Sequence, residues 1–466
     1  MYNAHIEAGL RDSDHADTRS MGPLSAMALV AGSMLGIGIF IAPGEVAEQL
    51  THPGTFLAMW LIGGLSALAG ALSIAELGAM MPRAGGDYPY LRLAYGPGVA
   101  FAAGWLQLLA IFPGSLATMA HGTASFQLPV VLGSYADLPA QWGIPMESST
   151  FWAIAIIIGL TALNHIGVVI SGRVMLGLTG IPILILLVSS LVVLASQGGG
   201  GAWDAPGAFQ APKLDAAAAA FLPIYFAYSG WYAAIFIGGE IKNPARSVPR
   251  ALVIGTAGIT LLYLLMCVGF LSVFDMGALA NVGEAGSAAA TTLFGPLGTL
   301  TVTLLIVLAM FGSINGTVLT GSRIGYAMAK HGHFLKRAAK LHPKFRTPVF
   351  ALWTQAAFGI ALVATQSFEQ LLKYTVAAML VTGTLTVLAV VVLRRKMPDT
   401  KRPYRAWAYP WTPLVYVLSS VAVFAVLTAK AFSTGDGRDL TVPATLAWFV
   451  GALVVYRLYI RRREQR

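Results

Sequence analysis

The chain has 466 residues, of which 56% are hydrophobic and only 11% carry a charge, and its net charge is +10. Ordinary soluble domains have about 25% charged residues, so a water-soluble protein of this length would lack the polar surface that it needs. The composition therefore excludes a string of soluble domains and indicates a protein whose surface faces lipid.

Apolar stretches long enough to cross a bilayer follow one another along the chain. A transmembrane helix needs about 20 mainly apolar residues, because the hydrocarbon core is about 30 Å thick. Continuous apolar runs of this length indicate helices. The sequence predicts twelve spans, at 23–48, 55–81, 97–126, 151–170, 174–195, 215–240, 250–274, 288–328, 348–365, 370–393, 409–430 and 441–460. Because 288–328 is long for one crossing, we expect its end from Arg323 to continue into the cytoplasm.

The basic residues are distributed unevenly between the two sides of this topology. If the N-terminus is cytoplasmic, all of the lysines and arginines fall on the inner side except Lys213, Lys373, Lys430 and Arg438. Such a bias is the positive-inside rule, and it predicts a multi-pass protein of the cell inner membrane with both termini cytoplasmic. The net positive charge is thus a topology signal, and no nucleic-acid partner is expected.

Spans 1 and 6 contain residues that favour local unwinding. Span 1 includes GSMLGIG at 32–38, and span 6 includes FAYSG at 226–230. Glycine inside a helix is less favourable than alanine by up to about 1 kcal/mol. Five crossings separate the two spans, so they run in opposite directions, as in two inverted five-helix repeats whose broken helices form a transport site. Glycine used only for close helix packing is the alternative.

A broken helix leaves amides unpaired at the start of its second half and carbonyls unpaired at the end of its first half. Because the helix dipole adds to both ends, a zwitterionic amino acid fits them. Its carboxylate is predicted to bind the amides around Gly36, Ile37 and Gly38, and its ammonium the carbonyls of Met34 and of 226–229. The predicted substrate-binding residues are Ser33, Met34, Gly36, Ile37, Gly38, Phe226, Ala227, Tyr228 and Ser229.

Few other residues in the spans carry chemistry. Glu76 and Glu240 lie near the cytoplasmic ends of spans 2 and 6, where pairing with a nearby arginine is the alternative to a functional role. His331 and His333 follow span 8 and are expected to be solvated. There is no phosphate-binding loop and no zinc-protease motif, and no catalytic cluster can be assembled. We expect no enzyme activity, no metal and no cofactor, and a substrate with a neutral side chain.

Four blocks of sequence resemble a known family. They are GSMLGIGIF at 32–40, FAYSGWYAAIFIGGEIKNPARSVPRAL at 226–252, GSRIGYAMAKHGHF at 321–334 with KFRTPVFAL at 344–352, and RPYRAWAYPWTPLVYV at 402–417. In these blocks the chain resembles permeases of the amino acid–polyamine–organocation superfamily, and most of all the branch that includes the L-type amino acid exchangers. The run EIKNPARSVPRA is the most specific of the matches.

The resemblance implies alternating access by two inverted repeats with two added helices. These would comprise 23–195, 215–393 and 409–460, flanked by cytoplasmic tails at 1–22 and 461–466. It also implies that Phe226 is the aromatic gate that closes over the substrate from outside. The function expected is an amino acid permease or exchanger. An amine or polyamine carrier, or a membrane nutrient receptor that binds without transport, remains an alternative.

The chain departs from its family at three places. Ile37 stands where many relatives have serine, and Pro182 stands where many bacterial relatives have a lysine involved in coupling, so exchange, uniport and proton or sodium coupling all stay open. Residues 127–150 contain no cysteine with which to bond a partner glycoprotein, and Cys267 is the single cysteine of the chain. No disulfide-linked subunit is expected, lipid is the expected surrounding, and the oligomeric state is left open.

Overall fold

The computed structural model describes residues 19–83, 85–196, 209–433 and 441–461. Within these ranges the protein is helical, and the pairing that resembles a strand is one isolated bridge between Met21 and Ile241. Most of the tails predicted at 1–22 and 461–466 lies outside the described residues, as does Arg438.

Nineteen α-helices build the described part of the chain. In chain order they are α1 Pro23–Met34, α2 Gly38–Gln49, α3 Pro53–Met80, α4 Tyr88–Tyr95, α5 Pro97–Leu106, α6 Phe112–Gly122, α7 Leu128–Leu132, α8 Leu138–Gln141, α9 Ser148–His165, α10 Val168–Ser196, α11 Leu214–Ala227, α12 Ala233–Phe236, α13 Pro244–Val273, α14 Met276–Ala280, α15 Ala285–Lys330, α16 Val349–Thr365, α17 Phe368–Lys396, α18 Trp411–Ser433 and α19 Thr441–Val455. Two π-helical segments, Gln107–Ile111 and Thr123–Gln127, connect α5, α6 and α7.

Ten helical stretches in the described ranges are long and apolar enough to cross a membrane, and α11 and α16 are shorter apolar helices. Each of these twelve overlaps one of the twelve predicted spans. The start of α13 differs from its prediction, since the helix begins at Pro244 although its span is predicted from 250. The first turns of this helix are polar, so a search for apolar residues finds only the part that follows them.

The long helix α15 departs from its prediction. Its backbone leaves helical geometry at Gly295, which has φ 65° and ψ −162° and precedes Pro296, so a short helix precedes the main one. Part of the length by which this helix exceeds a single membrane crossing therefore lies before the kink. Arg323, which is predicted to begin a cytoplasmic extension, is only 2% exposed. The helix continues to Lys330, and the cytoplasmic extension stays a prediction. The side chain of Arg323 itself is held inside the bundle by an ion pair described below.

The segment between α3 and α5 contains a short helix that the sequence does not predict. This helix is α4, and the hydroxyl of Tyr88 lies 2.6 Å from Nδ1 of His333. His333 is 2% exposed, so the expectation of a solvated histidine is wrong for this residue. Among the residues that the structure describes, no three His, Cys, Asp or Glu side chains are grouped as metal ligands.

Spans 1 and 6 are interrupted where the sequence predicts. The helix of span 1 ends at Met34 and resumes at Gly38, with Leu35 at φ −70° and ψ 75° between them. The helix of span 6 ends at Ala227 and resumes at Ala233. Both interruptions are adjacent in space, since α2 packs against α11 and α1 packs against α12.

Glycine permits this close approach. Gly230 has φ +92°, and a side chain there would lie 2.4 Å from the carbonyl oxygen of Ser33. Only glycine adopts this left-handed geometry readily and leaves room for the neighbouring backbone. The two interruptions therefore contact each other through their main chains.

Candidate substrate cavity

A small cavity lies between the two interruptions. We call it the central cavity. From spans 1 and 6 it is lined by Ser33, Met34, Gly36, Gly38, Phe226, Ala227, Ser229, Gly230, Tyr232, Ala233 and Phe236. From other helices it is lined by Ile111, Phe112, Ser115, Met119, Ser313, Thr317, Thr320 and Met379.

All of the predicted substrate-binding residues line the central cavity except Ile37 and Tyr228. The side chain of Ile37 points toward Gly122, where an added Cβ would lie 2.3 Å from its Cδ1. The ring of Tyr228 packs against Trp60 and Tyr263, with centroid separations of 5.9 and 5.1 Å. Both side chains pack between helices. Ile37 can therefore take part in the predicted binding of the substrate carboxylate only through its backbone amide.

The backbone at the start of α2 offers unpaired donors. The amides of Phe40 and Ile41 both donate to the carbonyl of Ile37, at 3.0 and 3.1 Å. Within the described residues, the amides of Ile37, Gly38 and Ile39 have no acceptor. Three adjacent donors at the positive end of a helix are a suitable site for an anion. The amide of Gly36, also predicted as a donor, instead bonds the carbonyl of Met34 at 2.7 Å.

Tyr263 of α13 connects the two interruptions. Its hydroxyl lies 2.6 Å from the carbonyl oxygen of Met34 and 3.2 Å from that of Ala227, so one phenolic hydrogen is shared between the two acceptors. The carbonyl of Met34, which is predicted to face an ammonium group, therefore has hydrogen-bond donors from the protein. Tyr263 is not among the predicted residues, because it lies in a continuous helix that shows no sequence sign of a site.

The side chains around the central cavity are neutral. The hydroxyls of Ser33 and Ser115 are buried and have no hydrogen-bond partner in the described structure. Ser313 Oγ lies 3.4 Å from the carbonyl of Ser33 and 3.1 Å from Met119 Sδ. No lining residue is acidic or basic. The cavity wall therefore presents hydroxyl groups and apolar surface, and no charged side chain, to a bound molecule.

Two side chains of α10, those of Met175 and Thr179, lie against Gly32 of the first span. The Oγ1 atom of Thr179 would be 2.2 Å from a Cβ added to Gly32, and it has no hydrogen-bond partner among the described residues. Pro182 follows one turn later in the same helix. Pro182 is the position predicted from the sequence to correspond to the lysine of many bacterial relatives, and neither Thr179 nor Pro182 carries an ionisable group.

The two glutamates near the helix ends are paired with arginines. Glu76 accepts hydrogen bonds from Nε of Arg394 at 2.9 Å and from Nε of Arg402 at 3.0 Å. The amide of Ala406 donates to the same carboxylate at 2.8 Å. Glu240 accepts from Nε of Arg323 at 3.1 Å. The sequence-based alternative of pairing with arginine is therefore confirmed for both acids.

A membrane protein with many apolar helices, two of them broken beside a cavity that offers unpaired amides, has the features of a secondary transporter. Comparison of the sequence gives the family. Residues 21–455 match the family described as "Amino acid permease".

Curated relatives cover nearly the whole chain. The serine/threonine exchanger SteT of Bacillus subtilis (strain 168) is 30% identical over 91% of this chain and 95% of its own length. The human b(0,+)-type amino acid transporter 1 is 30% identical over 88% of this chain and 82% of its own length. The human cystine/glutamate transporter is 27% identical, with coverages of 93% and 85%.

The chain belongs to the amino acid permease family. It is a multi-pass membrane protein that transports amino acids, and it is not an enzyme, since the family and these relatives are transporters.

Proposed function

We propose that this permease carries small neutral L-amino acids by exchange or uniport across the cell inner membrane. The observation that carries the proposal is the start of α2, where the amides of Ile37, Gly38 and Ile39 are unpaired and Gly38 lines the central cavity, together with a cavity wall that has no charged side chain. The amides suit a carboxylate. A cationic or anionic substrate side chain would be left without a counter-charge in this wall, which is costly away from water.

Alternating access is proposed to use two inverted repeats, 23–195 and 215–393, with 409–460 as additional helices. The equivalent interruptions in spans 1 and 6 support this arrangement. The distribution of lysine and arginine supports cytoplasmic termini. We also propose that no partner is attached by a disulfide, because Cys267 is buried inside α13.

Transport by the purified protein in liposomes tests this function. Labelled L-serine, L-threonine and L-alanine are compared with L-lysine, L-glutamate and putrescine, in vesicles that are either empty or preloaded with unlabelled substrate. We expect uptake of the neutral amino acids, and stimulation by preloading would identify exchange. Transport of putrescine alone would favour the amine carrier, and saturable binding without uptake would favour a receptor.

Gly36→Ala is expected to weaken amino acid transport without disturbing the fold. The added methyl group would lie 3.3 Å from Ser313 Oγ and 3.6 Å from Met119 Sδ, where small adjustments suffice, and it would reduce the space beside the unpaired amides. One additional methyl group in a binding site costs about 1–3 kcal/mol, so we expect the KM for L-serine to rise by about tenfold or more. An unchanged KM would place the carboxylate elsewhere, and an unfolding temperature equal to the wild type serves as the control.

Phe226→Ala is expected to slow turnover. Phe226 lines the central cavity and is 6% exposed, so its ring covers part of the site. Removing the ring admits water and weakens closure over the substrate, and we expect the maximal rate to fall several-fold while Phe226→Leu, which keeps an apolar cover, retains most of it. Initial-rate measurements below the unfolding temperature of each variant check this. Equal rates in all three proteins would remove the gate assignment.

A further inference from the structure

Residues 85–87, the loop that leads into α4, lie directly against the wall of the central cavity. The amide of Gly85 donates to the carbonyl of Phe236 at 3.1 Å, and Phe236 lines the cavity. A side chain at Gly86 would lie 2.2 Å from the ring of Phe236, and both glycines have left-handed φ values of +107° and +63°. One aromatic ring therefore separates this loop from the cavity.

Asp87 is the next residue of the loop, and its carboxyl group is buried. It is 5% exposed. Its Oδ1 accepts a hydrogen bond from Gln107 Nε2 at 2.8 Å, and its Oδ2 lies 2.7 Å from Thr386 Oγ1. Gln107 lies one turn from the cavity residue Ile111, and Thr386 lies two turns from the cavity residue Met379. The carboxyl group thus joins three segments next to the cavity.

Among the described residues no lysine or arginine side chain bonds this carboxyl group. Its partners there are the neutral side chains of Gln107 and Thr386 and its own backbone amide. The titratable groups that face it are Tyr90 from α4 and Tyr232 from the segment before α12, and the nearby Arg83 acts on Tyr90. Burial raises the pKa of the Asp87 carboxyl. Glu76 differs, since two guanidinium groups contact its carboxylate.

If Asp87 is ionised, the single hydrogen of the Thr386 hydroxyl is shared between two acceptors, and protonation of Asp87 gives each contact a hydrogen of its own. Thr386 Oγ1 lies 2.7 Å from Asp87 Oδ2 and 2.8 Å from the carbonyl oxygen of Thr382. A hydroxyl carries a single hydrogen, whereas both of these neighbours would be acceptors. If Asp87 is protonated, it donates to Thr386 and Thr386 donates to Thr382, and both contacts are satisfied.

We propose that Asp87 binds a proton while the loop is closed against the central cavity and releases it to the cytoplasm when the loop opens, so that proton movement accompanies amino acid transport. The proposal rests on the transport function proposed above and adds the coupling ion. A hydronium ion in the cavity supplies the proton, near Tyr232, so that one O–H bond of the hydronium ion breaks, the O–H bond of the carboxylic acid forms and a water molecule is left. On opening, the carboxyl group becomes hydrated, its pKa returns toward about 4, and the same O–H bond breaks to give a proton to cytoplasmic water.

Proteoliposomes that contain a pH-sensitive dye test the proposal. Vesicles are sorted to the orientation in which uptake corresponds to entry into the cell, and net L-serine uptake is started with and without an inward proton gradient. For wild type we expect acidification of the interior during uptake. One proton per amino acid would raise the accumulation ratio by up to about tenfold for a gradient of one pH unit.

Asp87→Asn is the decisive variant, because it preserves shape and can satisfy both partners without an ionisable proton. We expect serine exchange in preloaded vesicles to continue, and both the acidification and the response to the gradient to disappear. Asp275→Asn is the matched control. This residue caps α14 through a bond from the Ala278 amide, and asparagine serves equally well as a cap, so its coupling should equal that of wild type.

Two further variants separate proton binding from packing. Thr386→Val removes a hydrogen bond but keeps the carboxyl group, and Asp87→Glu keeps an ionisable group in the loop, so both should still move protons. Serine uptake by wild type without proton movement, or proton movement by Asp87→Asn, would overturn the proposal and leave the transport function intact. Absence of any amino acid transport by wild type would instead contradict the proposed function. If Asp87→Asn fails to fold, the proposal is tested by the dye measurement of proton movement in wild type and in Asp87→Glu.

Discussion

Gly38→Leu is expected to abolish amino acid uptake. A Cβ at this position would lie 2.5 Å from the Cα, 2.8 Å from the Cβ and 3.0 Å from the amide nitrogen of Ala227, so the obstacle is backbone that cannot move aside as a side chain does. Overpacking of this kind costs about 1–3 kcal/mol or more. Leucine would force α2 away from α11 and displace the unpaired amides from the cavity.

The measurement is initial uptake of labelled L-serine, together with the amount of protein in the membrane and its unfolding temperature. Gly258→Leu is the matched control, because a side chain at Gly258 of α13 would meet no atom within 4 Å. We expect the control to transport normally. Uptake by Gly38→Leu near the wild-type rate would show that the contact between spans 1 and 6 is dispensable and that the substrate binds elsewhere.

Glu76→Gln is expected to lower stability more than any single exposed charge change. The carboxylate is fully buried, whereas the side chain of Arg402 is 7% exposed and that of Arg394 is 23% exposed. Breaking a buried ion pair costs about 3–5 kcal/mol, because a charge is left without its partner. Since Arg394 retains some access to water, which screens its charge, we expect a loss near the lower end, about 3 kcal/mol.

Thermal or denaturant unfolding in detergent measures this loss. Glu369→Gln supplies the control, because its pair with Lys373 is exposed, at 73% and 38% of the two side chains. Exposed pairs of this kind contribute about 0.3–0.5 kcal/mol. If the two variants were equally stable, the contacts between Glu76 and its arginines would be incidental to the fold.

The sequence predicts the interruptions of spans 1 and 6 because glycine-rich runs inside apolar stretches contradict the rest of the helix pattern. It does not predict Tyr263, Ser115 or Ser313, which lie in continuous helices and reach the site only through packing. Periodicity and composition describe one helix at a time, whereas a cavity wall is assembled from several helices.

The burial of Asp87 is a second feature that the sequence does not predict. An aspartate between two glycines and a tyrosine reads as a solvated turn residue, and nothing in the local sequence reveals the two helices that enclose it. The kink of α15 had a local signal, since Gly295 and Pro296 form a helix-breaking pair. Such a pair predicts a break in the helix near the start of the long span.

The shared hydrogen of Tyr263 has a mechanical consequence. Because this hydroxyl lies between the carbonyls of Met34 and Ala227, and Gly230 rests on the backbone of Ser33, the first, sixth and seventh spans are coupled at their centres. We expect a tilt of any one of these spans to tilt the other two as well. We therefore expect these three spans to move as one unit during the transport cycle.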